Sequence, residues 1–262
     1  RQPLPVRRRQ QVVVAEGGYD GGEGFEELHL HAGIRDVILA ADDVGDADLG
    51  VVHDGGQRVE VAAVGAHQHG VGERGKAGAV VDPGGDLDRI EAAIRSQGVR
   101  VEKILLTHGH IDHAGGAAEL KERLGAPVEG PHEADRFLLD SLPETGASYG
   151  LDDARAITPD RWLAEGDTVT IGGLTFDIWH APGHSPGSVV FMSRDARFAL
   201  VGDVVFQGSV GRTDLPGGSH EQLIRMIKEK VLPLGDDVAF IPGHGPTGTL
   251  GQERTTNPFL QG

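Results

Sequence analysis

Three imidazoles and one carboxylate fall within six positions, His108, His110, Asp112 and His113, in the run Thr107-His108-Gly109-His110-Ile111-Asp112-His113-Ala114-Gly115-Gly116. Donors of this kind suit a divalent cation. The apolar Ile104-Leu105-Leu106 just before them predicts a strand, and side chains two apart on an extended chain point the same way. His108 and His110 can therefore hold one metal, while Asp112 and His113, in the turn beyond, reach a second. Three more candidate ligands stand in matching places. His184 follows the 174–180 run through Pro182-Gly183, Asp203 follows 197–201 through Gly202, and His244 follows 238–241 through Pro242-Gly243. Each comes just past an apolar strand, where glycine lets the backbone turn and bring the side chain into a shared cleft. Such a donor set serves two cations: three imidazoles fill one centre, two imidazoles and a carboxylate the other, and one carboxylate lies between. Two cations lower the pKa of a shared water and polarise the carbonyl it attacks, which is hydrolytic chemistry without a Ser or Cys nucleophile.

The composition agrees. There is no cysteine, so no disulfide framework, thiol nucleophile or sulfur ligand is available, and zinc, iron or manganese fit the remaining donors. A formal charge of −16 argues against nucleic acid and anionic membrane as partners, since both require a basic surface. We expect a small-molecule substrate. No apolar run reaches the roughly 18–20 residues of a membrane span, and the start Arg1-Gln2-Pro3-Leu4-Pro5 lacks the apolar core of a secretion signal. A cytoplasmic location is the corresponding expectation.

The elements that must position these donors alternate from Ala77 onward. A short strand at 79–81 ends in Asp82-Pro83-Gly84-Gly85, and Leu87, Ile90, Ala93 and Ile94 then repeat at helical spacing until Gly98. Residues 101–106 predict the next strand, 117–124 a helix, 127–129 a strand and 133–139 a helix. Past Asp167 the pattern becomes mostly antiparallel: 168–171 with 174–179, and 188–192 with 197–201, predict hairpins. Ser219 and Gln222 match a capping box opening a helix whose apolar face is Leu223, Ile224, Ile227 and Val231, and 238–241 is a last buried strand. Together they predict an α+β fold in which two sheets pack face to face with helices outside. Residues 1–76 differ. With only Tyr19 and Phe25 as aromatics and fourteen glycines, they hold just two candidate elements, 35–41 and 59–64. We expect 1–76 to be an atypical segment, much of it non-native or poorly ordered, and 77–262 to be the folded domain.

The motif His-x-His-x-Asp-His, with Pro182-Gly183-His184, Gly202-Asp203 and Gly243-His244 downstream, resembles the metallo-β-lactamase-fold hydrolases, and within them the small bacterial glyoxalase II-like (hydroxyacylglutathione hydrolase-like) group. Val81-Asp82-Pro83-Gly84-Gly85-Asp86, Thr158-Pro159-Asp160-Arg161-Trp162-Leu163 and the Glu253-Arg254…Asn257-Pro258-Phe259-Leu260 ending carry the same resemblance. It implies a four-layer αβ/βα sandwich with two divalent metal ions, zinc first and iron or manganese as alternatives. His108, His110 and His184 would hold the first, Asp112, His113 and His244 the second, and Asp203 would bridge them. The implied reaction is hydrolysis of a thioester such as S-lactoylglutathione by a metal-bridging hydroxide that Asp112 orients. The family's usual first strands are not recognisable in 1–76.

Other residues carry two readings each. Asp82 orients a metal-binding histidine or caps its own turn. The loop Arg212-Thr213-Asp214 either touches substrate or is braced by its Arg–Asp pair, and bracing is favoured because the pair can hold the loop with no ligand present. His29, His31, His67 and His69 share the two-residue spacing but lack a following Asp-His, and we expect no function of them. His132, His180 and His220 are expected on the surface, at a strand edge and at a helix start, with His180 near enough to His184 in sequence to line the cleft. Rival functions are a persulfide dioxygenase with a single iron, a lactonase or phosphodiesterase, and an inactive metal-binding or scaffold protein. The dioxygenases resemble this chain less at the last ligand, where Pro242-Gly243-His244-Gly245-Pro246 stands in place of an Ala-His-Asp type motif.

Overall fold

The computed structural model describes residues 37–41, 52–54, 57–59 and 76–261. In chain order the strands and helices are β1 (Val37–Ala41), β2 (Val52–Asp54), β3 (Gln57–Val59), β4 (Lys76–Val81), α1 (Leu87–Gln97), β5 (Val99–Leu105), α2 (Ile111–Ala114), α3 (Ala117–Leu124), β6 (Val128–Glu129), α4 (Arg136–Asp140) and α5 (Leu142–Ser148). There follow β7 (Thr168–Ile171), β8 (Leu174–His180), β9 (Val189–Ser193), β10 (Phe198–Gly202), β11 (Val205–Phe206), β12 (Ser209–Val210), α6 (His220–Met226), β13 (Ala239–Pro242), β14 (Gly248–Thr249) and α7 (Leu250–Thr256).

Two larger sheets result, ordered β1-β4-β5-β6 and β14-β13-β10-β9-β8-β7, beside the two-stranded pairs β2-β3 and β11-β12. The β4–β5 and β5–β6 pairs are parallel, whereas β7 through β10 run antiparallel and β10–β13 is parallel. Successive strand residues point to opposite faces, and here both faces are apolar. Ala79, Val81 and Leu105 from the first sheet meet Phe176, Ile178, Phe191, Phe198, Leu200 and Ile241 from the second, forming the inner core. The residues between them face outward: Val80, Ile104 and Leu106 pack on α1 and α3, while Val190, Met192, Ala199, Val201 and Phe240 pack on Leu223 of α6 and Leu250 of α7. This is the four-layer sandwich expected from the sequence.

Several elements match their sequence signals closely. Gly98 ends α1 in a left-handed conformation, φ 62°, and the Ser219 side chain accepts from the Gln222 N–H at the start of α6. Beyond α6 the helix widens into a π-turn over Ile227–Val231, yet Ile227 and Val231 remain buried in the outer core. The single helix expected over 133–139 is instead a 3-10 turn, Glu133–Asp135, followed by α4. His132 caps that turn, accepting from the Ala134 N–H, which starts the chain in the tighter winding. In the amino-terminal segment, 35–41 contains β1, which pairs antiparallel with β4. Of 59–64, Val59 ends β3, and the remainder lies outside the described residues, as do His29, His31, His67 and His69. No described helix is long and apolar enough to cross a membrane.

Candidate metal centre

All the candidate donors meet at one edge of the two sheets. The segment after β5 supplies His108 and His110, α2 supplies Asp112 and His113, and the β8–β9 turn supplies His184. Asp203 follows β10 and His244 follows β13. His184 Nε2 lies 3.2 Å from His108 Nε2 and 2.9 Å from His110 Nδ1. His244 Nε2 lies 3.3 Å from His113 Nε2 and 3.1 Å from Asp112 Oδ2. Three groups able to hold a metal ion are thus assembled: Asp82/His108/His113, which shares a ring with each of the other two, and the triads His108/His110/His184 and Asp112/His113/His244. Asp203 sits between them, with Oδ1 3.4 Å from His113 Nε2, and Oδ2 3.7 Å from His184 Nε2 and 3.6 Å from His244 Nε2. Gly243 makes room for this convergence, since a Cβ there would come within 2.4 Å of Asp203 Oδ1 and 2.5 Å of His113 Cε1.

The rings are oriented by what their far nitrogens touch. Asp82, in the left-handed region at φ 52°, accepts at Oδ1 from the Thr107 N–H (2.7 Å) and at Oδ2 from the Thr107 hydroxyl (2.6 Å). The same Oδ2 accepts from His113 Nδ1 at 3.0 Å, and the Thr107 oxygen accepts from His108 Nδ1 at 3.0 Å. His184 donates from Nδ1 to the Arg212 carbonyl at 2.8 Å. A proton held on each of these Nδ1 atoms leaves Nε2 a bare lone pair, the form a metal takes. His110 is turned the other way, offering Nδ1, and its buried Nε2 has no hydrogen-bond partner. Asp203 Oδ1 is likewise buried without a hydrogen bond. Nitrogens around a tetrahedral zinc at 2.0–2.1 Å stand about 3.3 Å apart, near the spacings seen here. The donor set therefore fits two divalent ions.

Residues 70–244 match the model of the metallo-beta-lactamase superfamily. The chain belongs to that superfamily. It is related to the hydroxyacylglutathione hydrolase-like group: it is 45% identical over 186 residues to the hydroxyacylglutathione hydrolase GloC of Haemophilus influenzae, covering 71% of this chain and 88% of that protein. Among solved structures it resembles the BLEG-1 B3 metallo-beta-lactamase, at a TM-score of 0.65 and 36% identity over 72% of this chain and 95% of that one. It also resembles TTHA1623 in a di-iron-bound form, at 0.64 and 37% over 72% and 98%. The protein is a metal-dependent hydrolase of the superfamily with a dinuclear metal-binding site.

In this superfamily member the two triads differ electrically. Burial, followed by the charge on His113, holds His108 well below the ordinary histidine range, and burial with His184 nearby brings His110 down to about 4. Burial opposes a charge on His113 as well, but the Asp112 and Asp203 carboxylates overcome it and raise His113 well above the usual range. Burial is the largest single influence on Asp112 and Asp203 and works against their ionisation, yet His113 together with His244, and for Asp203 also His184, outweighs it and holds both below the ordinary carboxylate range.

The remaining sequence candidates divide. The Asp82 carboxylate turns to Thr107 and His113. Arg212 and Asp214 form a two-pronged pair, 2.8 Å and 2.7 Å, on the loop whose Arg212 carbonyl steadies His184. Thr213, between them, is partly buried. His180 does not join the donors: its ring stacks on His132 with centroids 4.1 Å apart, and its Nε2 donates to the Pro186 carbonyl at 2.8 Å. His220 is the exposed first residue of α6. Two participants escaped the sequence reading. Thr107, the relay between Asp82 and His108, carried a signal in its place directly before the first ligand. Asp135 is fully buried with its carboxylate against both ligand loops, and nothing in its Glu-Ala-Asp-Arg surroundings marks it.

Proposed function

We propose that this chain hydrolyses thioesters of a carrier thiol, with S-lactoylglutathione as the representative substrate. The observation that carries the reading is the pair of facing triads with the Asp203 carboxylate within reach of both. The specific choice of a thioester is supported by the 45% identity to the Haemophilus influenzae hydroxyacylglutathione hydrolase across most of that protein. In this reading His108 Nε2, His110 Nδ1 and His184 Nε2 would hold one cation and Asp112, His113 and His244 the other, with Asp203 placed between the two groups. Two divalent ions, zinc in the first instance and iron or manganese as alternatives, supply a water acidified toward neutrality and polarisation of the carbonyl.

The chain's own part is positional and electrostatic. Asp82 keeps His113, and through Thr107 also His108, presenting Nε2. Asp112, ionised and 3.1 Å from His244 Nε2, is the carboxylate we assign to orienting the attacking water. The Arg212–Asp214 pair braces the loop behind His184. We take 77–262 as the hydrolase domain and 1–76 as an atypical segment, which limited proteolysis with peptide mapping tests; protease resistance throughout 1–76 would count against the division.

The decisive assay is S-lactoylglutathione cleavage by protein of known metal content. Release of free thiol without oxygen uptake is expected. Oxygen consumption with a persulfide would instead point to a dioxygenase, and opening of lactones or β-lactams with thioesters untouched would move the substrate class.

A further inference from the structure

We infer that Asp135 is a positioning residue that assembles the first triad, by clamping together the two loops that carry His108, His110 and His184. Asp135 ends the 3-10 turn after β6 and is fully buried. Its Oδ2 accepts from the Gly109 N–H at 2.9 Å and from the Ser185 hydroxyl at 2.7 Å, and its Oδ1 accepts from the Gly187 N–H. Gly109 lies between His108 and His110, and Ser185 directly follows His184. One carboxylate therefore grips each loop at the residue adjoining a metal donor.

The two loops come from different sheets: Gly109 follows β5 of the first, and Ser185 and Gly187 join β8 to β9 of the second. Their relative position fixes the spacing between His184 Nε2 and the His108 and His110 nitrogens. The contact is tight, because a Cβ on Gly187 would come within 2.6 Å of Asp135 Cγ. Ser185 is itself fixed by Ser188, whose hydroxyl lies 2.7 Å from its own. A buried carboxylate bound by three donors holds its partners more firmly than neutral groups would, since each bond is charge-assisted. Asp112, His113 and His244 make none of these contacts with Asp135. Its influence is accordingly confined to one triad.

The test is zinc binding, measured by elemental analysis after dialysis against graded chelator, in Asp135→Asn, His110→Ala and the double variant. An amide nitrogen in place of one carboxylate oxygen faces donors with a donor. Asp135→Asn is expected to weaken one of the two zinc ions by roughly 10–100-fold, the usual effect of losing a group that orients ligands. In the His110→Ala background, where the first triad is already broken, the same change is expected to leave the remaining zinc unaffected. A purely structural role would weaken both ions alike and would weaken the remaining zinc in the double variant. That result, or two zinc ions bound by Asp135→Asn with unchanged affinity, overturns the inference. If Asp135→Asn does not fold, Ser185→Ala, which removes one of the three donors, is carried through the same cycle with a smaller expected loss. The inference rests on the metal-dependent reading alone: two zinc ions bound without thioester cleavage would end the substrate assignment and leave Asp135 standing, whereas a chain that binds none would end both.

Discussion

Asp82→Asn exchanges a single oxygen for an amide nitrogen, and its consequences can be followed atom by atom. Oδ1 can still accept from the Thr107 N–H, now 2.7 Å away. At the other position a carboxylate oxygen receives both the Thr107 hydroxyl at 2.6 Å and His113 Nδ1 at 3.0 Å, and an NH2 there can only donate. For His113 Nδ1 to accept, its proton must move to Nε2, the atom that faces Asp112, His244 and Asp203. For Thr107 to accept from the amide, its own proton must turn toward His108 Nδ1, and the His108 proton also moves to Nε2. Both rings would then present N–H groups where a metal requires lone pairs. Two inverted buried hydrogen bonds cost about 1–3 kcal/mol each, so metal-free Asp82→Asn should lose roughly 2–6 kcal/mol of stability. Metal affinity should fall roughly 10–100-fold at both sites, because one ring of each triad is affected. Denaturant unfolding of the metal-free protein and zinc titration together check this. A variant that loses stability but binds both ions as tightly as the parent would refute the relay.

Four further expectations follow from the same geometry. On acidification the second site should lose metal before the first: His113, raised above the ordinary range, gains a proton that competes with metal from above pH 6.5 downward, whereas His110 does not compete until pH nears about 4. Metal content against pH should therefore show two steps, and a single step or the reverse order, with the ions distinguished in the His110→Ala variant, contradicts it. Arg212→Ala and Asp214→Asn should impair turnover equally with KM unchanged if the pair only braces the His184 loop, and a raised KM confined to Arg212→Ala would assign that side chain to substrate. Gly243→Ala should cost about 1–3 kcal/mol by overpacking against Asp203 and His113, read as a fall in Tm of several degrees, and a neutral substitution would show the backbone there is free to yield. Asp112→Ala should lose turnover far more than it loses stability, measured by thiol release beside thermal unfolding, and full activity would remove Asp112 from its assigned role.

The candidate donors that converge in the fold were readable in the sequence because their signals are local. The alternation of His108 with His110 and the glycine just before each of His184, Asp203 and His244 are signals carried by neighbouring residues. The layers were readable for a similar reason, since strands apolar on both faces require cover on both sides. What stayed hidden depended on contacts distant in sequence. Asp135 reaches Ser185 and Gly187 some fifty positions away, and no local pattern encodes such a bond. The bonds of Asp82 to Thr107 and His113 likewise join residues 25 and 31 positions apart, beyond the reach of a local pattern. Two helices were legible but unread: α5 carries Pro143 in its first turn, and α7 opens on Thr249, whose hydroxyl accepts from the Gln252 N–H. The 3-10 turn before α4 came instead from a histidine cap, a rarer device that propensity does not reveal.

A two-metal thioester hydrolase is tested by determining metal content and S-lactoylglutathione cleavage on the same sample before chelation, after it, and after zinc is restored. Two metal ions per chain, thiol release that disappears with them, and recovery on reloading are expected. Thiol release that survives complete removal of metal, or two bound metal ions with no thioester cleaved, would contradict it.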